Sequence, residues 1–162
     1  MFSKKICVIG LGYIGLPTAA LLANRGYDVH GVDVEQSTVN IINRGEIHIV
    51  EPELDIFVKA AVNSGKLKAG LNPCEADVFI IAVPTPFHEG FVPNIDYVLS
   101  ATKAIAPFVK ENNVVILEST SPVGTTDKIE EALVAEGIDT SKLFIAHCPE
   151  RVLPGQIMRE LI

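Results

Sequence analysis

The chain is 162 residues long, carries a net charge of -7 and is 48% apolar. That length fits one domain with a substantial core, and the apolar share suits a parallel sheet covered on both faces. The acidic balance argues against non-specific nucleic-acid binding, so an anionic ligand would be held by local backbone N–H groups. Three cysteines, Cys7, Cys74 and Cys148, form no C-x-x-C pair. The four histidines, His30, His48, His88 and His147, show no ligand spacing. Neither a disulfide framework nor a metal site is expected, and a reducing, cytoplasmic setting is.

Residues 6–9 read as a buried strand that ends in glycine. Residues 8–17, V-I-G-L-G-Y-I-G-L-P, follow two lysines and are uncharged, as in a secretion signal. Three glycines and Pro17 would break such a segment, and a membrane span needs about 20 apolar residues. Residues 14–25 instead predict a helix with Pro17 in its first turn, where a missing N–H matters little. A second strand follows over 29–32, with Asp33 at its end. Helices are expected over 35–44 and 53–64, joined by a connection over 46–52, and a weak strand over 67–69. Residues 78–83, V-F-I-I-A-V, form the most hydrophobic strand, stopped by Pro84. A helix over 95–109, a strand over 114–117, a helix over 125–136 and a strand over 143–147 complete the series. Pro107 leaves the end of the 95–109 helix open. Alternation of this kind builds a doubly wound, mostly parallel six-stranded α/β sheet of the Rossmann type, helices on both faces, in the order 3-2-1-4-5-6. The last residues, C-P-E-R-V-L-P-G-Q-I-M-R-E-L-I, end on an apolar, helix-like pattern. They are read as the start of a connection (149–162) from a cofactor domain (1–148) into a longer protein.

Gly10-Leu11-Gly12-Tyr13-Ile14-Gly15 matches G-x-G-x-x-G between a predicted strand and a predicted helix. Gly10 permits the tight turn, Gly12 lets a pyrophosphate approach the backbone, and Gly15 lets helix and strand pack closely. The helix N-terminus offers N–H groups to the phosphates. Asp33 lies 18 residues after Gly15, where a carboxylate would accept from the adenosine ribose hydroxyls. A 2′-phosphate would be repelled there, and residues 34–38 hold no Arg or Lys to offset the repulsion. The expected cofactor is therefore NAD and not NADP.

Ligands of such a sheet lie beyond the carboxyl ends of its strands. V-P-T-P, E-S-T-S-P-V-G and H-C-P-E-R occupy those ends. Taken singly each has a plainer reading: Pro84 and Pro86 as strand stops, Ser119, Thr120 and Ser121 as helix caps, Glu150 and Arg151 as a solvated pair. Their convergence on one edge favours a site. Cys7 reads as core, Cys148 as structural, and the histidines as structural or surface residues.

With G-L-G-Y-I-G-L-P, V-P-T-P, S-T-S-P-V-G-T and C-P-E-R in this order, the sequence resembles the UDP-glucose/GDP-mannose dehydrogenase family. Residues 43–52 and 149–155 look like a branch acting on an N-acetylated UDP-sugar. The resemblance implies oxidation of a sugar C6 alcohol to a carboxylate through a cysteine thioester, with two NAD reduced. It implies cofactor contacts along Gly10, Gly12, Tyr13, Ile14, Gly15, Asp33, Val34, Val83, Pro84, Thr85, Ser119 and Thr120. Thr120 would position a water, Glu150 would act as base, and Arg151, Val152 and Leu153 would lie along the UDP-sugar. Two departures stand out: Pro154 where members often carry a second glutamate, and Thr38 where some carry a basic residue. The family's nucleophile lies in a downstream G-G-x-C segment that this chain does not contain. The chain alone is thus expected to bind NAD without oxidising sugar nucleotides. At full length the resemblance implies a homodimer or larger, with no membrane or nucleic-acid partner. A stand-alone NAD-binding sensor, a 6-dehydrogenase of the same family acting on UDP-glucose or UDP-N-acetylglucosamine, and a 3-hydroxyacid-type dehydrogenase are the rival readings.

Overall fold

The computed structural model describes residues 4–161. Residues 1–3 and 162, which the expected domain bounds include, lie outside the described residues. The strands are Lys5–Ile9 (β1), Asp28–Val32 (β2), Leu67–Gly70 (β3), Val78–Ile81 (β4), Val114–Leu117 (β5) and Phe144–His147 (β6). All pair in parallel, in the order β3-β2-β1-β4-β5-β6. This is the expected doubly wound sheet, with its order reversing between β1 and β4.

The two faces follow from the alternation of side chains along a strand. Ile6 and Val8 of β1 point into one core with Leu16, Ala19, Ala20 and Ala23 of helix Gly15–Asn24 (α1). Leu54, Val58 and Ala61 of helix Leu54–Asn63 (α3) close that layer. Ile42 of helix Gln36–Asn43 (α2) joins the same core. Cys7 and Ile9 point the other way, into a second core with Phe79 and Ile81 of β4. Helices Asp96–Ile105 (α4) and Thr125–Ala135 (α5) cover it through Val98, Ala101, Ile105, Ile129 and Leu133. Helices α2 to α5 are amphipathic because each buries one stripe, whereas α1 packs against the sheet, α3 and the tail helix and exposes only Asn24.

Most boundaries shift by one residue from expectation, and three of the shifts have a local cause. The β4 ladder stops at Ile81, two residues early. The Ala82 N–H still donates to the Ile9 carbonyl (2.8 Å), but β1 then turns at Gly10 and offers Val83 no ladder partner. The α4 helix ends at Ile105, and Ala106–Phe108 tightens into a 3₁₀ turn. Pro107 has no N–H for an α-helical bond, and its ring crowds the preceding turn. Helix α3 begins one residue late because Glu53 adopts a left-handed conformation (φ 68°).

The tail folds back onto the domain. Helix Ile157–Leu161 (α6) buries Ile157 and Met158, and Met158 enters the α1 core. The segment from Cys148 to Gln156 crosses the carboxyl edge as a strap before reaching α6.

Candidate functional site

The carboxyl ends of β1, β2 and β3 and one flank of α4 enclose a cavity of about 730 Å³. The glycine loop forms its floor. Gly10 has φ +92°, and a Cβ there would lie 2.6 Å from the Ala82 carbonyl oxygen. A Cβ on Gly15 would lie 1.8 Å from the Gly10 carbonyl oxygen, so only glycine lets α1 start this close to β1. Gly12 differs: a Cβ there meets nothing within 4 Å. It faces the open cavity, where a side chain would take the space of a ligand. No side chain caps α1, and its first turn contains no acidic residue. Its amino end is therefore open and partly positive, as a pyrophosphate needs.

Asp33 is fixed before any ligand arrives. Its Oδ2 accepts from the Leu11 N–H (3.1 Å) and its Oδ1 from the Glu35 N–H (3.0 Å). Each oxygen retains a lone pair for a ribose hydroxyl, and the pair repels a phosphate. Tyr13, Ile14, Val34, Val83 and Pro84 line the same cavity. So do Leu71, Asn72 and Pro73 after β3, and Tyr97, Ser100, Ala101 and Ala104 of α4, which the motif reading missed. The α4 stripe had a signal, since 97, 100, 101 and 104 recur at helical spacing beside the buried stripe. The Asn72 contribution had none: its carbonyl is held by Nε2 of His30 across the sheet edge (2.9 Å).

Thr85, Ser119 and Thr120 gather where β4 and β5 end. The buried Ser119 hydroxyl donates to the Val83 carbonyl (2.7 Å), and the Thr85 hydroxyl donates to the Thr120 carbonyl (2.6 Å). Both therefore brace the cavity wall formed by Val83 and Pro84. Thr120 is exposed. His147 Nε2 lies 3.2 Å from the Ser119 carbonyl and 3.5 Å from the Ser121 hydroxyl, beside the same loop. Cys148 is exposed, and the Cys7 thiol is pushed up to about 12, chiefly by burial.

The strap continues from β6. The Cys148 N–H donates to the Leu117 carbonyl (2.9 Å) and the Glu150 N–H to the Glu118 carbonyl (3.3 Å). Glu150 is half-buried, and its carboxylate accepts from the Val152 N–H. Arg151 and Leu153 are exposed and Val152 is half-buried.

Two carboxyl groups have partners that the motifs do not show: Glu118, which opens the E-S-T-S-P-V-G strand end, and Glu51, in the 46–52 connection. Glu118 Oε1 accepts from the Thr18 hydroxyl of α1 (2.8 Å), while its buried Oε2 has no partner. Burial, with Glu150 nearby, pushes its pKa up to about 7, against the lowering effect of Thr18. Glu51, only 4% exposed, accepts from the N–H groups of Gly155 and Ile157, both at 2.8 Å. Among the described residues no cluster of His, Cys, Asp and Glu could hold a metal ion, and no helix is long and apolar enough to cross a membrane.

A parallel sheet with this strand order, a glycine loop opening α1 and a fixed carboxylate at the end of β2 defines a dinucleotide-binding Rossmann domain. The model of the UDP-glucose/GDP-mannose dehydrogenase family, NAD binding domain, matches residues 4–162, and the chain belongs to that family. A UDP-N-acetyl-D-mannosamine dehydrogenase of Campylobacter jejuni is 58% identical, over 98% of this chain and 42% of that protein. An NDP-N-acetyl-D-galactosaminuronic acid dehydrogenase of Ralstonia nicotianae is 51% identical, over 98% and 40%. The solved UDP-N-acetyl-mannosamine dehydrogenase Cap5O of Staphylococcus aureus superposes with a TM-score of 0.92 at 42% identity, over 98% of this chain and 40% of that one. The chain thus spans about two-fifths of the length of these relatives. Its cofactor is NAD, as the glycine loop and Asp33 predict.

Proposed function

We propose that the chain is the NAD-binding part of a UDP-sugar 6-dehydrogenase. The substrate is UDP-N-acetylmannosamine, oxidised to its uronate with two NAD, a supply step for cell-surface polysaccharide. The carrying observation is a shared edge. The wall of the NAD cavity at Val83 and Pro84 is hydrogen-bonded to the loop of Ser119 and Thr120, and the strap bearing Glu150 to Leu153 is hydrogen-bonded beyond it. A cofactor and a second ligand would meet there. The likeness of residues 43–52 and 149–155 to the mannosamine branch supports the choice of sugar.

NAD supplies the hydride acceptor. Backbone N–H groups at the start of α1 hold its pyrophosphate, and Asp33 orients its adenosine ribose. Thr120 positions a water near the reacting carbon. Glu150 takes a proton from that water during thioester hydrolysis, a task for a carboxylate within hydrogen-bond reach. Arg151, Val152 and Leu153 line the sugar nucleotide. Thr85 and Ser119 brace the loop of Thr120 and the cavity wall at Val83, and would act on the bound cofactor through that backbone. The thioester nucleophile comes from a part of the protein beyond this chain, which contains no G-G-x-C segment. The whole protein works as a homodimer or larger assembly in the cytoplasm, without membrane or nucleic-acid partners.

A substrate panel on the full-length protein tests this reading. NAD reduction with UDP-N-acetylmannosamine is expected at a kcat/KM at least ~10-fold above UDP-glucose and UDP-N-acetylglucosamine. The 162-residue chain should bind NAD and form no NADH with any of them. Turnover by the short chain, or preference for another sugar, would overturn it. NAD binding by a full-length protein that oxidises no sugar nucleotide would favour a sensor.

A further inference from the structure

Residues 148–157 carry the proposed substrate contacts, yet they form no strand and, before α6, no helix. Backbone N–H groups tie both of their ends to distant parts of the chain. At the near end, the Cys148 and Glu150 N–H groups donate to carbonyls at the end of β5. At the far end, the carboxylate of Glu51 accepts from the Gly155 and Ile157 N–H groups, across 104 and 106 residues of chain. Glu150 to Leu153 run between these points, with the Leu153 N–H also donating to the Glu160 carboxylate of α6 (2.8 Å).

The far anchor is built for the purpose. A carboxylate only 4% exposed is costly to bury unless strong donors receive it, and here each oxygen receives one. Pro52 follows it, and Glu53 then takes a left-handed conformation (φ 68°) that L residues avoid. Such strain persists where the surroundings over-determine it. The turn aims Glu51 inward while Glu53 meets Arg159 of α6 (3.5 Å). Ile157 and Met158, each 1% exposed, complete the attachment.

We propose that Glu51 is a positioning residue: by clamping the far end of the strap it sets where Glu150 to Leu153 meet the sugar nucleotide. This rests on the reading of that strap as the substrate subsite. NAD binding should not depend on the clamp, because Glu51 and the strap lie outside the residues lining the NAD cavity.

Glu51→Gln keeps the shape but turns an amide NH₂ toward one N–H donor. Glu51→Ala removes both acceptors. Amide hydrogen exchange on this chain reads the clamp alone. Exchange at Gly155 and Ile157 should quicken by about tenfold or more in Glu51→Gln, as expected on losing a hydrogen bond to a charged group. Protection in β1, β4 and β5 should stay unchanged. Steady-state kinetics on the full-length protein reads the positioning. The kcat/KM for the UDP-sugar should fall about tenfold to a hundredfold, with Kd for NAD within about twofold of the parent. Unchanged exchange in both variants overturns the clamp. Faster exchange with unchanged kcat/KM overturns the positioning role. A parent protein that oxidises no UDP-sugar defeats the functional reading instead and leaves the exchange result standing.

Discussion

Gly12 and Gly15 sit three residues apart in one loop and should answer substitution in opposite ways. At Gly12 a side chain meets open cavity, so Gly12→Val should keep Tm within about 2 °C of the parent while weakening NAD binding about a hundredfold by blocking the pyrophosphate. At Gly15 even a methyl group would lie 1.8 Å from a backbone oxygen, so Gly15→Ala should destabilise the fold by about 3 kcal/mol or more. Thermal denaturation and calorimetry separate the two. If Gly12→Val unfolds the protein, the glycine is structural and not a ligand gap. Glu118 gives a pH prediction with a definite sign. Folded, it holds its proton up to about pH 7, whereas the ordinary value is 4.5. Between those values the folded state binds more protons than the unfolded one. This group's contribution is therefore full below pH 4.5, falls as pH rises through the window and levels off above it. Glu118→Gln should thus be more stable than the parent at pH 8, by up to about 3 kcal/mol, and similar at pH 4. An identical Tm–pH profile for the two proteins would show that burial does not hold the proton.

At the scale of elements, function concentrates on boundaries and stability on interiors. Leu133 of α5 is fully buried in the core opposite α1 and does not line the NAD cavity. Leu133→Ala should cost about 3 kcal/mol, near 10 °C in Tm, with Kd for NAD unchanged at a temperature where the variant is folded. A large loss of NAD affinity there would mean that the sheet face under α5 shapes the site. Element type and order were legible in the chain, because strands of alternating or continuous apolar residues and helices with one apolar stripe leave period signals. Element ends were less so. Val83 belongs by composition to β4, but its ladder depends on where β1 turns at Gly10. Residue 107 announced a disturbance as proline, but not that α4 would end two residues before it.

For the whole molecule, the glycine loop and Asp33 were readable because local spacing carries them. Tyr97 and Ser100 were missed as cavity wall because α4 reaches that wall only through the sheet winding. The partners of Glu51, Glu118 and His30 were not legible because they lie far along the chain, as with Glu51 and Ile157, 106 residues apart. The hydroxyls of Ser119 and Thr85 were visible as polar groups at strand ends, but their use as braces of the wall appears only once β4 and β5 are adjacent. The resulting picture is one rigid sheet with its NAD crevice at the strand reversal and a clamped strap beside it. Calorimetric titration of the 162-residue chain with NAD and with NADP tests this most directly. Saturable NAD binding is expected, with NADP at least ~10-fold weaker because Asp33 repels a 2′-phosphate that no nearby Arg or Lys offsets. Equal affinity for the two cofactors, or no binding of NAD, would contradict it.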